Sequence, residues 1–576
     1  MTSSPRPGSS FSRSRFTRRN MLLATPVVLG TGALAACSSG GSEGSGSSGS
    51  DGGGATGGGA TGGTLTIYTT GEEMSFDPAT SQSLAITSLG LTARRLTAWK
   101  TSPDAPTELI PDLATDTGTP SEDGKTWTFT LQEGLKFEDG TPITATAVKY
   151  GLERSFAPEL TGGLTYHKVL LEGGEDYAGP FSGEHLDSIE AVDDLTLVLH
   201  LNRPYGDFGW VASNPAFAPV PEDSGQPETY ATQPVTSGPY RVESYSPGAT
   251  AVLVRNEHWD AGTDQARAGG PDTIEFALSQ DASVVAQSII ADRSDAQDAF
   301  LASFVPTAQL VQARNDPKVG ERLVTSGPGA LEYLALNTES EALKDVNVRR
   351  ALQFAVDKEA YRTAKGGEIS GDFATTLITP GIAAREEYNL YAEAPTGDAE
   401  EAKRLLAEAG VSDLSLRLVI TDDETAAAES IQQALTRAGI SVTIQPLDAN
   451  AYQSEVTAGD GSAYDMVLSS WQPDMPSPNA NLTPLFDSTQ IGSGNYNLAR
   501  YANEEVDAAL LEASSTLDAD EAAAKWAAVD KRIMEDAPVV PLIYSKNSFI
   551  HGSGVENFVI GQFPAYPNYL TTTLKA

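Results

Sequence analysis

Asp123-Gly124-Lys125-Thr126-Trp127-Thr128-Phe129-Thr130-Leu131, then Gly134, Lys136-Phe137, Asp139-Gly140-Thr141-Pro142 and Thr144-Ala145, decide how this chain is read. Asp123-Gly124 predicts a turn, and Trp127, Phe129 and Leu131 alternate with threonines as a strand buried on one face. Gly134 turns the chain again, and Phe137 leads into the Asp139-Gly140 turn. Thr144 then caps a helix that carries Ala147, Val148, Leu152 and Arg154. Strand, strand, turn and helix in that order predict α/β architecture.

The same periodicities extend outward on both sides. Upstream, Thr64-Leu65-Thr66-Ile67-Tyr68 alternates as a strand before Phe76-Asp77-Pro78-Ala79 breaks it. Downstream, Asp398-Ala399-Glu400-Glu401 reads as a capping box. The helix it opens turns Ala402, Leu405, Leu406 and Ala409 inward and stops at Gly410. Leu414, Leu416, Leu418 and Ile420 alternate; Ala428, Ile431, Leu435 and Ala438 mark one helix face closed by Gly439; Ile440, Val442 and Ile444 alternate again. That is a βαβ unit, which requires parallel pairing and a right-handed crossover. A further strand is expected from about Tyr464 to Ser470, giving a helix-covered, largely parallel sheet.

The chain has 576 residues and one cysteine, Cys37. Arg6, Arg13, Arg15, Arg18 and Arg19 form a cationic start, residues 21–33 an apolar run, and Leu34-Ala35-Ala36 precede the thiol. This is the pattern of a signal peptide over residues 1–36, too short in its apolar part to span a bilayer. Leu-Ala-Ala-Cys resembles the lipobox of bacterial lipoproteins, which implies that Cys37 carries a diacylglyceryl group and becomes the mature N-terminus. Paired acyl chains suffice for lasting attachment. Thr17-Arg18-Arg19-Asn20-Met21-Leu22 also resembles a twin-arginine export signal, so two export routes fit the leader. Residues 38–63 are almost wholly Gly, Ser, Ala and Thr, a flexible tether spanning on the order of 30 Å. Gly52-Gly53-Gly54-Ala55-Thr56-Gly57 matches a phosphate-cradling pattern only formally, since neither strand nor helix frames it.

With no second cysteine the exported body can hold no internal disulfide, and its core alone must stabilise it. Its length allows two or three lobes. Taking the five leader arginines from 38 basic groups leaves 33 against 77 acidic ones, a formal charge of −44. A field of that sign repels nucleic acid and anionic lipid headgroups.

The stretch over residues 123–154 closely resembles the signature of the family 5 extracellular solute-binding proteins, the oligopeptide, dipeptide and nickel receptors of bacterial ABC importers. Further matches follow in the family's order. They include Leu109-Ile110-Pro111-Asp112-Leu113-Ala114, Ser237-Gly238-Pro239-Tyr240-Arg241-Val242 and Arg255-Asn256 with His258-Trp259. Val348-Arg349-Arg350-Ala351-Leu352 and Ala537-Pro538-Val539-Val540-Pro541-Leu542 complete the set. The resemblance covers nearly all of the chain after the tether. It implies a two-lobed, periplasmic-binding-protein-like α/β fold with mixed sheets and a ligand cleft between the lobes. The implied first lobe combines residues 64–100, 232–330 and 541–576, with an extra subdomain over 101–231; the second lobe spans 331–540.

Ligands of open parallel sheets bind beyond the carboxyl ends of the strands. The strand expected near Ser470 ends in Trp471-Gln472-Pro473-Asp474-Met475-Pro476, where two prolines stiffen the loop. From position alone, Trp471 and Asp474 are as readily a core aromatic and a surface acid as ligand contacts. The resemblance implies that Asp474 pairs with a ligand ammonium and that Trp471 lies along the ligand. Tyr544 is expected on the opposite wall, and Phe76 and Asp77 mark another loop near the cleft.

Enzymatic readings find little support in the sequence. His167, His185, His200, His258 and His551 form no zinc-binding pair, and no Gly-x-Ser-x-Gly elbow occurs over residues 64–576. No catalytic residue, metal or cofactor is expected. The expected protein is a monomeric receptor on the outer face of the cytoplasmic membrane that closes on a short peptide. It then delivers the peptide to permease subunits driven by cytoplasmic ATPases. The rival readings are a receptor for a metal chelate or an oligosaccharide, and a secreted hydrolase.

Overall fold

Gly124 adopts a left-handed φ of 68°, and the strand Thr126–Thr130 that leaves this turn buries Trp127 and Phe129 on one face. In the computed structural model, which describes residues 62–391 and 394–576, this strand pairs antiparallel with Thr196–His200. Thr119–Pro120 and Ile189–Ala191 complete a four-stranded sheet. Thr144 caps the helix Ala145–Arg154 by accepting from the Ala147 amide, and Val148 and Leu152 face the core. Gly151 lies where that helix meets the next segment: a Cβ there would sit 2.2 Å from the Ala218 carbonyl oxygen. Gly151→Ala should therefore lower stability by about 1–2 kcal/mol, although alanine favours a helix over glycine by about 1 kcal/mol. A urea midpoint equal to the parent's would disprove this close backbone approach.

A five-stranded sheet runs Ala299–Leu301, Thr64–Tyr68, Thr273–Ala277, Thr250–Arg255 and Tyr240–Ser246. Its first three strands are parallel and the last two antiparallel. A six-stranded sheet runs Gly371–Phe373, Val539–Ser545, Leu331–Leu336, Met466–Trp471, Ser415–Thr421 and Ser441–Leu447. Both faces of this second sheet are covered. Leu334 and Leu336 point into a core beneath the helices Val346–Ala355, Ala399–Glu408 and Thr425–Arg437, while Tyr333 and Ala335 point into a core shared with the helix Ala519–Asp536.

The predicted βαβ unit is present as Ser415–Thr421, Thr425–Arg437 and Ser441–Leu447, with parallel register. Before that unit, Asp398 caps the helix Ala399–Glu408 by accepting from the Glu400 and Glu401 amides. The expectation of a largely parallel sheet needs correction, because three of the five pairings are antiparallel. The cause is the strand Leu331–Leu336, which inserts between Val539–Ser545 and Met466–Trp471 and runs opposite to both. Residues 541–545, expected with the first lobe, belong to this sheet as well.

The chain crosses from the two-stranded antiparallel sheet of Leu323–Thr325 and Ser548–Ile550 to the six-stranded sheet in two places, 326–330 and 546–547. The crossings are joined by hydrogen bonds. The Ser326 amide donates to the Asn547 carbonyl at 2.8 Å, and the Gly329 amide donates to the Ser545 carbonyl at 2.9 Å.

Candidate functional site

The loop after the strand Met466–Trp471 is anchored at both ends. Trp471 donates from Nε1 to the Ala480 carbonyl at 2.7 Å and packs against the Tyr496 ring at 5.1 Å. Met475 is fully buried, and Ser477 caps the helix Pro478–Phe486. Between these anchors stands Asp474, whose Oδ2 accepts from the Tyr166 hydroxyl at 2.8 Å. Burial pushes the Asp474 carboxyl above the usual carboxylate range, partly countered by the Tyr166 hydrogen bond. Burial and the neighbouring carboxylate likewise push Tyr166 well above the ordinary phenol range.

Tyr166 belongs to the short helix Tyr166–Leu170, which packs with the four-stranded sheet. The same junction is held by Ser477 donating to Asp207 and by Asn479 donating to Tyr205. These contacts fix the Asp474 loop against the segment of residues 203–208.

Asp474 and Pro473 border a cavity of about 650 Å³ whose other walls include Thr69, Ser83, Phe276 and Tyr566. Thr69 and Ala302 directly follow the strands Thr64–Tyr68 and Ala299–Leu301, and Phe276 is near the end of Thr273–Ala277. The cavity thus opens at the carboxyl ends of three parallel strands, as open α/β sheets dictate. Thr80, Ser81, Gln82 and Ser83 add a polar wall. A second cavity of about 440 Å³ shares Gln472 and Tyr566 with the first. Its lining carries Phe304 and Val311 together with Arg314, Lys365 and Lys546. Lys365 pairs with Glu424 at 2.6 Å and Lys546 with Asp372 at 2.5 Å.

Of the residues singled out in the sequence, Asp474 lines the cavity. Trp471 does not, because its indole is turned onto Ala480 and Tyr496. Tyr544 is corrected outright. It lies within the strand Val539–Ser545, opposite Leu331 and Asp372, at 2% exposure, and its hydroxyl is engaged by Thr376. It therefore sits in the same sheet that carries Trp471 and forms no opposite wall. Phe76 is core, and Asp77 is bound through both oxygens by Arg154 at 2.8 and 2.9 Å, a buried structural pair. Sequence reasoning missed Tyr166, Gln472 and the hydroxyl-rich run 80–83. Only the last had a local signal, in its composition just after Asp77-Pro78. Cys37, the signal peptide and the tether up to residue 61 lie outside the described residues. Among the described residues no helix is long and apolar enough to cross a membrane.

Comparison with known proteins agrees with this architecture. The solved structure of "Clavulanic acid biosynthesis oligopeptide binding protein 2" superposes with a TM-score of 0.84 at 31% identity, covering 90% of this chain and 96% of that one. The glutathione-binding protein GsiB of Salmonella paratyphi A is 26% identical over 453 residues, 77% of this chain and 82% of its own length. Heme-binding protein A of Haemophilus influenzae is 29% identical over 467 residues, 76% of this chain and 79% of its own. The fold is accordingly the two-lobed α/β arrangement of periplasmic binding proteins, with mixed sheets and a cleft between the lobes. The model of the bacterial extracellular solute-binding proteins, family 5, matches residues 108–493, well over half of the sequence, and to that family the chain belongs.

Proposed function

We propose that this protein is the receptor of an ABC importer, closing two lobes on a short peptide and delivering it to permease subunits driven by cytoplasmic ATPases. The observation that carries the reading is Asp474, a buried carboxylate at the edge of a cavity whose only hydrogen-bond partner among the described residues is a neutral hydroxyl. A buried carboxylate is costly until a cation meets it, and a charge-assisted hydrogen bond to an ammonium group offsets that cost. In the second cavity Arg314 supplies the opposite sign for a ligand's far end, Lys365 and Lys546 being paired with Glu424 and Asp372. A zwitterion with separated charges fits such a cleft. The names oligopeptide binding protein and glutathione-binding protein among its relatives point to the same ligand class.

In this reading the first lobe comprises residues 64–100, 232–330 and the C-terminal segment after Ser545, with the subdomain 101–231 attached. The second lobe spans 331–545, and the two crossings 326–330 and 546–547 act as the hinge. The body works as a monomer, moored outside the cell by acyl chains on Cys37 at the end of the tether.

Incubating the protein with a library of free-amine di- to tetrapeptides and recovering bound material by mass spectrometry tests this. Intact peptide at one per protein is the expected result. Cleaved peptide would mean a secreted hydrolase. A metal chelate or oligosaccharide retained in preference to every peptide would replace the ligand class, heme being the first chelate to try given the Haemophilus relative. Spectra of the membrane fraction read the anchor at once, since an unprocessed Met1 terminus there would overturn it.

A further inference from the structure

Gln472 stands where the two cavities meet: with Tyr566 it lines both. Its side-chain Oε1 and Nε2 are buried, and neither has a hydrogen-bond partner among the described residues. The tip reaches the first crossing segment, so that a Cβ added at Gly329 would lie 3.5 Å from Oε1. A primary amide carries two donors and an acceptor, and burying them unpaired is unfavourable in any folded protein. Because Gln472 borders both cavities, its amide is placed to pair with a bound molecule rather than with the core.

We propose that the Gln472 amide reads a peptide group of the ligand at the throat between the cavities. This rests on the peptide reading above. Gln472 is two residues from Asp474, within about 7 Å along an extended chain. A ligand whose ammonium meets Asp474 therefore brings its first or second peptide group to Gln472 on its way to Arg314. The peptide N–H faces an acceptor and the peptide C=O a donor, the same complementary pair that a primary amide offers. An ester linkage keeps a weaker carbonyl and loses the N–H, so it satisfies at most half of the match.

The test uses two libraries on the full protein, free-amine tripeptides and the same tripeptides with the first or second amide replaced by an ester. The parent should enrich amide over ester about tenfold, the scale of one buried hydrogen bond. Gln472→Met, apolar and of similar volume, should reduce that preference to about twofold or less while still selecting free over acetylated amines. Its ligand-free form should melt at the parent's temperature or above, because two unpaired polar atoms are gone. An unchanged amide preference in the variant overturns the proposal, as does no preference in the parent, equal loss of all ligands, or a lower melting temperature. A parent that retains no peptide at all overturns the peptide reading beneath it.

Discussion

Replacing Asp474 by asparagine should remove most of the affinity for free-amine peptides and leave the ligand-free protein at least as stable as the parent. The two halves of that outcome share one cause. Burial raises the Asp474 carboxyl above its unfolded value, so its ionisation is disfavoured in the ligand-free fold. A carboxyl shifted this way favours the folded state below the unfolded pKa, and the contribution is lost as pH rises through the raised one. Above the raised pKa the charge is a burden that asparagine lifts, while its carbonyl still accepts from Tyr166. A ligand ammonium reverses the balance. Removing one partner of a buried, hydrogen-bonded charge pair costs about 2–5 kcal/mol, or about 30-fold to several thousand-fold in affinity. N-acetylated peptides, which bring no cation, should bind parent and variant alike. The parent's affinity should also fall as pH drops through the raised Asp474 pKa, above the ordinary carboxylate range, where the variant's stays flat. Titration calorimetry over a pH series, with melting curves alongside, checks all of this. Equal losses for free and acetylated peptides, or a destabilised variant, would remove Asp474 from the site.

The position of Asp474 could be read from the sequence, whereas its surroundings could not. A strand ending in a proline-stiffened loop is a local pattern, and it placed the carboxylate at a strand's carboxyl end. Which way Trp471 turns is settled by the Ala480 carbonyl, nine residues on and one helical turn into Pro478–Phe486, and an alternating pattern is silent about that. Tyr166 is 308 residues away from the oxygen it bonds. Gln472 has no motif at all, since an unpaired amide is a property of the space around it.

The same division runs through the fold. The turn at Gly124, the Thr144 and Asp398 caps and the parallel unit over residues 415–447 depend on residues a few positions apart, so each is visible in sequence. The order of the six-stranded sheet depends on Leu331 lying beside Trp471 and Tyr544, separations of 140 and 213 residues. Nothing in the alternation of Leu331–Leu336 names its neighbours. The reading of Tyr544 failed for that reason: its strand, Val539–Ser545, lies beside Leu331–Leu336, and only that pairing reveals it.

Asp112 shows what a family motif can conceal, and Asp112→Asn should cost about 3–5 kcal/mol of stability. The carboxylate is 1% exposed and accepts from Arg94 Nε at 2.8 Å, from the Arg95 amide at 2.9 Å, and from both terminal nitrogens of Arg267 at 2.9 and 2.8 Å. Asp264 is the second anion of the cluster, 3.1 Å from Arg267. Two buried guanidinium groups, those of Arg94 and Arg267, thus face two carboxylates, while the Arg95 guanidinium donates to the Ser213 and Ser83 carbonyls. Burial alone would push Asp112 up, but Arg267 and Arg94 outweigh it and hold the carboxyl below the usual range. Burial and the nearby Arg267 charge bring Arg95 down to about 9. Loss of Asp112 would leave the two guanidinium groups of Arg94 and Arg267 against one anion in a site closed to water. Asparagine matches the shape but puts an N–H₂ where an arginine or a main-chain N–H already points, so isosteric replacement should be no milder than alanine. The depressed pKa fixes the pH course: the stabilisation is present above the unfolded value and is lost as pH falls through the folded one. Parent and variant should therefore differ most at neutral pH and converge in acid. Urea unfolding at pH 7 and at pH 3 measures both, and a variant within about 1 kcal/mol of the parent at pH 7 would show that Arg94 and Arg267 find enough compensation in Asp264 and the carbonyls of Thr263 and Gly90.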